Sequence, residues 1–392
     1  MAGGADVVVV GGGIIGCACA YELATAGARV VLAERSELAA GASGRNHGLV
    51  VSPLDPVLSP MAEATLQAYL RFTSSGPLPF GMDLEPIGYL VVAPDDPEEQ
   101  EAARREAEAA QRCRVKVEAL DSAGLRELEP ALAERIVEGW LFADGRRLQP
   151  GLLTVAYTQA ATMAGAEIRT NVPVRAFRVE GDTVRGVVTD DGDIAADTVV
   201  LAAGPWTPPL ARSVGVSLPM TGARGWIVSV APERLPIGRL VARAGWHAPP
   251  DADPAPPLTA GDLAGDTTPK GLIGTMLQPN ADGTMLIGGS RQVAFTPEPS
   301  DDSVPRRLLA GAIDIVPTLS SAAVLGSWWG IRPMTPDGRP LIGRVRDGLV
   351  VATGHGSLGV ILGGGTAQLV SSIVNGTEPP FFAASFEPER FA

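Results

Sequence analysis

The chain is poor in cysteine, histidine, aromatic residues and charge. Its 392 residues include 3 cysteines and 3 histidines, with 5% aromatic and 19% charged residues. Three cysteines make no disulfide framework, and Cys17 and Cys19 diverge on a predicted helix, which fits a reducing compartment. The histidines form no cluster with cysteine, so we predict no metal site. The low charge content is not that of a disordered chain.

Long hydrophobic runs and a positive net charge are also absent. No apolar run reaches the roughly 20 residues of a membrane helix, and residues 7–20 lack the basic segment of a signal peptide. A net charge of −13 does not suit nucleic acid or an anionic membrane surface. We therefore predict a cytoplasmic protein that binds neither nucleic acid nor membrane. A hydrophobic content of 45% can fill a large core, divided between two domains.

The N-terminal segment carries the strongest motif. Residues 7–10 form a short apolar run, as expected for a strand buried on both faces. Gly11, Gly13 and Gly16 follow with G-x-G-x-x-G spacing. The first glycine permits a tight turn, the second lets a pyrophosphate approach the backbone, and the third lets the helix pack closely.

A helix over residues 14–26 and a second apolar run over 28–33 complete this unit. The run ends in Glu34, where an acidic residue can accept hydrogen bonds from an adenosine ribose. Strand, glycines, helix, strand and terminal acid in this order predict nucleotide binding. The alternative, a glycine-rich turn in an ordinary βαβ unit, leaves Glu34 unexplained.

Later segments of the chain contain further predicted elements, and two of them again place glycines directly after a buried strand. We predict a surface helix over residues 94–114, a helix over 151–165, and an exposed loop over 248–266 that is either an insertion or a lid. A buried strand ends at Ala203, Gly204 and Trp206. Another strand, residues 348–352, enters a glycine-rich turn and a helix, which is again the architecture of an anion site. The nucleotide domain is therefore discontinuous.

Several of these segments resemble the FAD-dependent D-amino-acid oxidase superfamily, in the branch with glycine oxidase, sarcosine oxidase and γ-glutamylputrescine oxidase. Besides the N-terminal unit, the resemblance rests on Gly-Ala-Ser-Gly-Arg-Asn at 41–46 and Val-Val-Leu-Ala-Ala-Gly-Pro-Trp at 199–206. It also rests on Gly-Ile-Arg-Pro-Met-Thr-Pro-Asp-Gly at 330–338 and Gly-His-Gly-Ser-Leu-Gly at 354–359. These matches are specific for the superfamily and do not select a substrate.

The resemblance implies an α/β fold with an α+β second domain. A Rossmann-like FAD-binding domain would be assembled from residues 1–75, 145–215 and 326–392. A substrate domain built on a mixed sheet would comprise residues 76–144 and 216–325.

The resemblance also assigns residues to FAD. Those from Gly11 to Arg35 would hold the ADP half, 43–48 would pass beside the ring, and Val174 would contact adenine. The turn at 356–360 would place N–H groups and a helix N-terminus near the flavin N1–C2=O edge, where reduced flavin carries negative charge. The assigned residues are Gly11, Gly13, Ile14, Ile15, Gly16, Glu34, Arg35, Ser43, Gly44, Arg45, Asn46, His47, Gly48, Val174, Ala203, Gly204, Trp206, Arg332, Gly356, Ser357, Leu358, Gly359 and Val360.

Arg332 and His47 are the predicted catalytic-site residues. Relatives that oxidise amino acids place an arginine where Arg332 stands, and its fork grips a carboxylate bidentately. The alternative is that Arg332 ties the motif to backbone carbonyls. His47 could tune the flavin or accept a substrate proton, or simply bond to backbone, as could His355. His247, next to Trp246, could also line the pocket.

The chain departs from its relatives at informative positions. Gly330 stands where sarcosine-oxidase relatives carry a flavin-linking cysteine, and His47 lies two positions from the linking histidine of dimethylglycine-oxidising relatives. We therefore predict non-covalent FAD. Leu286 falls nearest to the oxygen-activating lysine of sarcosine oxidase. Ser357 and Leu358 occupy the turn in which glycine oxidase has a further arginine, so a second carboxylate clamp is missing there.

The predicted function is oxidation of the C–N bond of an amino acid or secondary amine. Hydride would pass to flavin N5, and water would hydrolyse the imine. Oxygen or another acceptor would reoxidise the flavin. The alternatives are oxidation of a 2-hydroxy acid and a flavin-bearing subunit of a larger complex. A homo-oligomer is compatible with the sequence.

Overall fold

A computed structural model describes residues 4–75, 84–245, 272–293 and 303–391. Its strands, in chain order, are β1 (Ala5–Val10), β2 (Val30–Ala33), β3 (Leu49–Val50), β4 (Tyr89–Pro94), β5 (Glu118–Asp121), β6 (Ile136–Phe142), β7 (Arg146–Arg147), β8 (Glu167–Arg169), β9 (Val174–Glu180), β10 (Thr183–Thr189), β11 (Gly192–Leu201), β12 (Thr221–Ala231), β13 (Leu240–Arg243), β14 (Leu272–Pro279), β15 (Met285–Val293), β16 (Ala323–Met334), β17 (Leu341–Arg346) and β18 (Leu349–Thr353). The α-helices are α1 (Ile14–Thr25), α2 (Ser59–Ser75), α3 (Pro97–Arg112), α4 (Ser122–Leu128), α5 (Pro150–Met163), α6 (Thr207–Arg212), α7 (Ser303–Ile315) and α8 (Gly359–Asn375).

The first sheet has a parallel centre. Its order is β17-β18-β11-β1-β2-β8, and β9 and β10 continue from β11 as an antiparallel meander. Helices α1, α5 and α8 pack together, and α2 packs on α8. This arrangement brings the carboxyl ends of β1, β2, β11 and β18 to one edge, which is where ligands bind in open α/β sheets.

Strand β1 shows why its sequence is apolar without interruption. Val7 and Val9 pack into the core shared with α1, α5 and α8. Val8 and Val10 point to the opposite face and pack with the meander and α6. Because alternate residues of a strand face opposite sides, a strand covered on both sides needs apolar residues at every position.

The second sheet is mixed and mostly antiparallel. Its order is β16-β12-β15-β14-β13-β4-β6-β5, with β13 and β4 parallel. Helix α7 covers one face, where Trp226 and Leu277 join its core. On the other face, Tyr89, Phe142 and Met276 pack near α3.

The observed architecture confirms the predicted fold class, with one qualification about the domain boundaries. The boundary placed at residue 326 falls inside β16, which pairs along its length with β12 of the second sheet. Residues 323–334 therefore go with the second sheet, and the remaining domain division stays a prediction.

The predicted surface helix is α3, but it is not solvated on every side. Glu106 is only 2% exposed and accepts a hydrogen bond from Gly245 N (2.9 Å). The predicted loop or lid at 248–266, with Trp246 and His247, lies outside the described residues. Within the ranges described, no helix is both long and apolar enough to cross a membrane.

Candidate active site

A cavity of about 1020 Å³ is lined by residues of both sheets. The first sheet contributes the carboxyl ends of β1, β2 and β18 with the turns that follow them. The second sheet contributes one face of β12, β14, β15 and β16. The cavity thus runs from the ends of parallel strands to the face of a mixed sheet. This shape suits an elongated ligand that spans both layers.

Glycines shape the end of the cavity at β1. Gly11 has a φ of +116°, and a Cβ atom there would lie 2.5 Å from the carbonyl oxygen of Ala202. A Cβ atom on Gly16 would overlap the Gly11 carbonyl, so this glycine lets α1 pack against the turn rather than lining the cavity. Side chains at either position would disrupt the turn that brings backbone N–H groups to the cavity.

Two helices begin at the cavity wall without a side-chain cap from their N-cap residues. Gly13 precedes α1 and Leu358 precedes α8, and both line the cavity. Ser43, from a distant loop, accepts a hydrogen bond from Ile14 N through its Oγ (2.9 Å). The N-terminus of a helix carries partial positive charge, so both ends of the cavity favour an anionic group.

Glu34 directly follows β2, and hydrogen bonds hold its carboxylate in a fixed orientation. Its Oε2 accepts a hydrogen bond from Gly12 N (2.6 Å), and its Oε1 accepts from Ser36 N (2.9 Å) and Ser36 Oγ (3.0 Å). Beside it, the Arg35 guanidinium lies 3.7 Å from the ring centroid of Trp206. An acceptor carboxylate next to a flat aromatic surface matches a ribose with its base.

The loop at 39–48 is held by hydrogen bonds to its own backbone. Asn46 Nδ2 donates to Ala42 O (2.8 Å) and Ser43 O (3.0 Å), and its Oδ1 accepts from Gly48 N (2.8 Å). Arg45 Nη1 donates to Trp329 O (3.1 Å), which ties the loop to β16. These bonds fix the cavity wall where the two sheets meet.

Arg332 lies on β16 and reaches across β12. A Cβ atom on Gly225 would overlap its guanidinium, and Arg332 Nη1 donates to Ser290 O on β15 (3.0 Å). Burial, with the nearby charge of Arg291, lowers the pKa of Arg332 to about 10, so it stays protonated at neutral pH. Among the described residues, no carboxylate lies within ion-pair distance of Arg332.

His47 is buried beside Arg332, with 7% of its surface exposed. Its imidazole lies over Gly288 of β15, where a side chain would overlap the ring. Burial, and secondarily the charge of Arg332, lowers the pKa of His47 to about 3, so the ring is neutral. Its Nε2 has no hydrogen-bond partner in the part of the chain that the structure describes. Of the roles considered for His47, a hydrogen bond to backbone is not made by this nitrogen among the described residues.

His355, in contrast to His47, has a hydrogen-bond partner within the protein. Its Nε2 lies 2.9 Å from Thr366 Oγ1 inside α8, and burial lowers its pKa to about 3. Trp329 packs into the core behind the second sheet, and neither it nor Trp328 lines the cavity. The bond from His355 thus orients the turn before α8.

Most of the predicted site residues meet in this cavity. All of them line it except Gly16 and Gly44, and Gly44 instead bonds to Ala39 O (2.9 Å). Sequence reasoning missed Arg291 on β15, which lines the cavity next to Arg332. The only indication in the sequence was an arginine within an apolar strand. The residues around it do not show which strand lies next to it in the sheet.

No cysteine is placed to link a cofactor. Cys17 and Cys19 are buried in α1, and none of the three cysteines lines the cavity. Burial raises the pKa of Cys17 to about 12, so its thiol is unreactive. Gly330 faces the cavity at the position considered for a linking cysteine. The site therefore fits a dinucleotide held by non-covalent contacts.

Comparisons with known proteins agree with this geometry. The family described as FAD dependent oxidoreductase (DAO) matches residues 6–373. The glycine oxidase of Pseudomonas aeruginosa is 29% identical over 399 residues, covering 97% of this chain and 98% of its own length. The bifunctional protein ThiO/ThiG of Synechocystis sp. is 29% identical over 395 residues, and this chain spans 54% of its length.

Solved structures give the same result. The crystal structure of glycine oxidase from Geobacillus kaustophilus superposes with a TM-score of 0.83 at 27% identity, covering 98% of each chain. The family match extends over nearly the whole chain, and the structural match confirms the fold. The predicted cofactor, non-covalent FAD, is likewise confirmed. This chain belongs to the DAO family of FAD-dependent oxidoreductases.

Proposed function

We propose that the protein oxidises the C–N bond of an amino acid, or of a secondary amine that carries a carboxylate. The observation that carries this proposal is Arg332, a buried cation on the cavity wall with no carboxylate partner among the described residues. A buried charge is costly unless it is paired, so the site calls for an anionic ligand. A guanidinium fork selects a carboxylate by two parallel hydrogen bonds.

The FAD-binding roles follow from the cavity walls. We assign the pyrophosphate to the turn around Gly11 and Gly13 at the start of α1, and the ribose hydroxyls to Glu34. Val174 and Trp206 line the part of the cavity that we assign to adenine, and the start of α8 at 358–360 would face the flavin. Bound FAD supplies a two-electron acceptor for hydride from the carbon next to nitrogen, and water then hydrolyses the imine product.

The residues of this chain orient the substrate and set its protonation. Arg332 holds the carboxylate and so fixes the carbon next to nitrogen. His47 is too weak a base to deprotonate an ammonium group, because its pKa is held near 3. Its Nε2 is also shielded inside the protein, so we assign His47 to the cavity wall beside Arg332. The positive charge of Arg332 lowers the pKa of a bound ammonium, which favours the neutral amine needed for hydride loss.

Anaerobic bleaching of the flavin band tests this function. The panel comprises D- and L-amino acids, N-alkyl glycines, polyamine conjugates and 2-hydroxy acids. We expect bleaching by a carboxylate-bearing amine, and admission of air then distinguishes an oxidase from a dehydrogenase. Bleaching by hydroxy acids but not by amines would overturn the proposal. Co-purification with a partner, together with no bleaching, would favour a subunit of a larger complex.

We also propose a cytoplasmic location. All three cysteines are free thiols, and Cys17 and Cys19 lie two residues apart on one helix, where they cannot pair; this fits a reducing compartment. Cell fractionation of the native host tests this location. Finding the protein outside the cytoplasm would contradict it.

A further inference from the structure

The segment that follows α8 packs back onto the first sheet and ends near the cavity wall. Phe386 is fully buried in the core shared with α1 and α8. Pro388 lies so close to β17 that a Cβ atom on Gly343 would be 2.8 Å from its Cδ. A 3₁₀ turn over Pro388–Phe391 follows. These contacts bring Arg390 to the turn that connects β16 with β17.

Arg390 pairs with a carboxylate of the cavity wall. Its Nε donates to Asp337 Oδ2 (2.8 Å) and its Nη2 donates to Asp337 Oδ1 (3.1 Å), which is a bidentate contact. The same Nη2 also donates to Arg339 O (2.9 Å). Asp337 lines the cavity, whereas Arg390 does not. The guanidinium therefore lies behind the carboxylate as seen from the cavity.

A second ion pair of the same kind lies next to the first. Asp55 lines the cavity and accepts hydrogen bonds from Arg339 Nε (2.8 Å) and Nη2 (3.3 Å), while Arg339 does not line the cavity. The backbone N–H of Arg339 donates to Asp337 Oδ1 (3.1 Å), which joins the two pairs. Two carboxylates at one corner of the cavity are thus each compensated by an arginine behind the wall.

This corner adjoins the turn that leads into α8. Gly356 N donates to Pro333 O (2.8 Å), and a Cβ atom on Gly354 would lie 2.6 Å from Thr335 Cγ2. The turn that carries Asp337 therefore packs directly on the turn before α8. We assign the start of α8 to the flavin, whose N1–C2=O edge becomes negative on reduction. An uncompensated carboxylate in the adjoining wall would disfavour that negative charge.

We propose that Arg390 raises the reduction potential of the flavin by compensating the charge of Asp337 in the cavity wall. Arg390 is in this sense a positioning residue, because it acts through Asp337. The inference rests on the position proposed for the flavin. Burial alone would raise the pKa of Asp337, but hydrogen bonds from Arg390 and Arg339 outweigh it and lower the pKa, so the carboxylate is charged at neutral pH. The competing interpretation is that the pair only holds the segment after α8 in place.

The midpoint potential of the bound flavin separates these interpretations. The holoenzyme is reduced anaerobically by dithionite in the presence of a reference dye, so no amine substrate is needed. In Arg390→Gln the Asp337 charge is uncompensated, and we expect the equilibrium constant for two-electron reduction to fall about threefold to tenfold, or about 15–30 mV. Asp337→Asn leaves the arginine uncompensated and should shift the potential in the opposite direction. No shift in either variant, or shifts of the same sign, would overturn the inference.

Three further variants separate charge from folding. Arg390→Gln combined with Asp337→Asn removes both charges and should restore most of the original potential. Arg390→Lys keeps the charge, so its potential should stay near that of the unaltered protein while loss of the bidentate contact lowers Tm. Arg346→Gln is the matched control, because it removes the ion pair of Arg346 Nη2 with Asp182 Oδ1 (3.3 Å) at the other end of β17, and neither residue lines the cavity. A potential in Arg346→Gln as low as in Arg390→Gln would contradict a local effect.

Failure of this inference and failure of the proposed oxidation give different results. Opposite shifts in the two single variants, without flavin bleaching by any amine, would overturn the amine oxidation and leave the role of Arg390. Bleaching by an amine, without a shift in either single variant, would leave the oxidation standing and overturn the role of Arg390. If Arg390→Gln does not retain FAD, the potentials of Asp337→Asn and of the double variant decide: an Asp337→Asn potential that is unchanged or lowered would overturn the inference.

Discussion

Arg332 makes a backbone contact in the structure, and we propose that it also binds the substrate. Its Nη1 bonds to Ser290 O, which is the backbone contact considered as the alternative to substrate binding. Arg332 also lines the cavity, so one role does not exclude the other. The backbone bond restricts the side chain to one orientation. A preorganised fork loses less entropy when a carboxylate binds.

Replacing Arg332 with lysine should impair substrate binding more than folding. Lysine keeps the charge but loses the planar fork, so we expect KM to rise about tenfold to a hundredfold, with a smaller effect on kcat. Steady-state or anaerobic reduction kinetics measure this. Arg224→Lys, on the opposite face, is the control. An unchanged KM in Arg332→Lys would show that Arg332 does not anchor the substrate.

The two buried histidines make stability depend on pH. Burial lowers the pKa of His47 and of His355 from 6.5 to about 3. Below pH 6.5 the two imidazoles bind protons in the unfolded chain but not in the folded chain. Stability is therefore fully present above pH 6.5 and is lost as pH falls from 6.5 towards 3. At pH 5.5 the two groups together cost about 3 kcal/mol.

Urea unfolding between pH 7.5 and 5.5 at saturating FAD measures this loss. His355→Gln removes one titrating group, so its free energy of unfolding should fall about half as steeply with pH. A slope that is the same in His355→Gln and in the unaltered protein would assign the pH dependence to other groups.

Helix α8 depends on glycines for its close approach to α2. Gly365 N donates to Thr65 Oγ1 (2.8 Å), and a Cβ atom on Gly365 would overlap Met61 O. Tyr69 OH of α2 donates to Val360 O in the first turn of α8. The packing of the two helices thus positions the end of α8 that faces the cavity.

Gly365→Ala should destabilise the protein although alanine favours a helix. Helix propensity predicts a gain of about 1 kcal/mol, while overlap with the Met61 backbone costs about 1–3 kcal/mol. Gly151→Ala in α5 is the matched control, because a Cβ atom there has open space. We expect that control to be neutral or more stable in urea unfolding. Greater stability of Gly365→Ala would contradict the observed helix contact.

At the scale of the whole molecule, the cavity lies between the first and the second sheet. Its lining comes from β1, β2 and β18 on one side and from β12, β15 and β16 on the other. A dinucleotide that fills this cavity would therefore contact both layers. A ligand that binds only the folded state adds RT ln(1 + [L]/Kd) to the stability, about 2.7 kcal/mol at a free concentration of about 100 Kd.

Removal of FAD should lower Tm, and added FAD should restore it in a concentration-dependent way. Riboflavin, which lacks the ADP half, should restore less, because it does not reach Glu34 or the start of α1. Glu34→Gln should weaken the recovery with FAD more than with riboflavin. Equal Tm values for the apoprotein and holoprotein would show that the cavity does not couple the cofactor to folding.

Much of the nucleotide side of the molecule could be predicted from the sequence. The predicted helix over 14–26 is observed as Ile14–Thr25, and the predicted strand over 348–352 as Leu349–Thr353. These elements are coded by neighbouring residues, an apolar run followed by glycines at fixed spacing. The family and FAD were predicted from the same local motifs and are confirmed.

The second sheet was harder to predict, because its contacts join residues far apart in the chain. The boundary at residue 326 cut through β16, since a strand does not show in its own sequence which sheet it joins. Glu106 was predicted on a solvated helix, yet it is buried at the cavity. Burial is set by what packs on a helix, and an amphipathic pattern with charged residues leaves that open.

The sequence by itself determined the FAD-binding unit, which is specified by residue types at short, fixed spacing. Through its resemblance to known proteins it also determined the family and indicated Arg332 as a candidate anchor. Only the tertiary structure decided that Arg291 lies beside Arg332, that His47 is neutral, and that Gly225 and Gly288 make room for their side chains. Register across β16, β12 and β15 brings these residues together. Register depends on pairing between distant strands, and the charge of a buried group depends on the surroundings that this pairing creates.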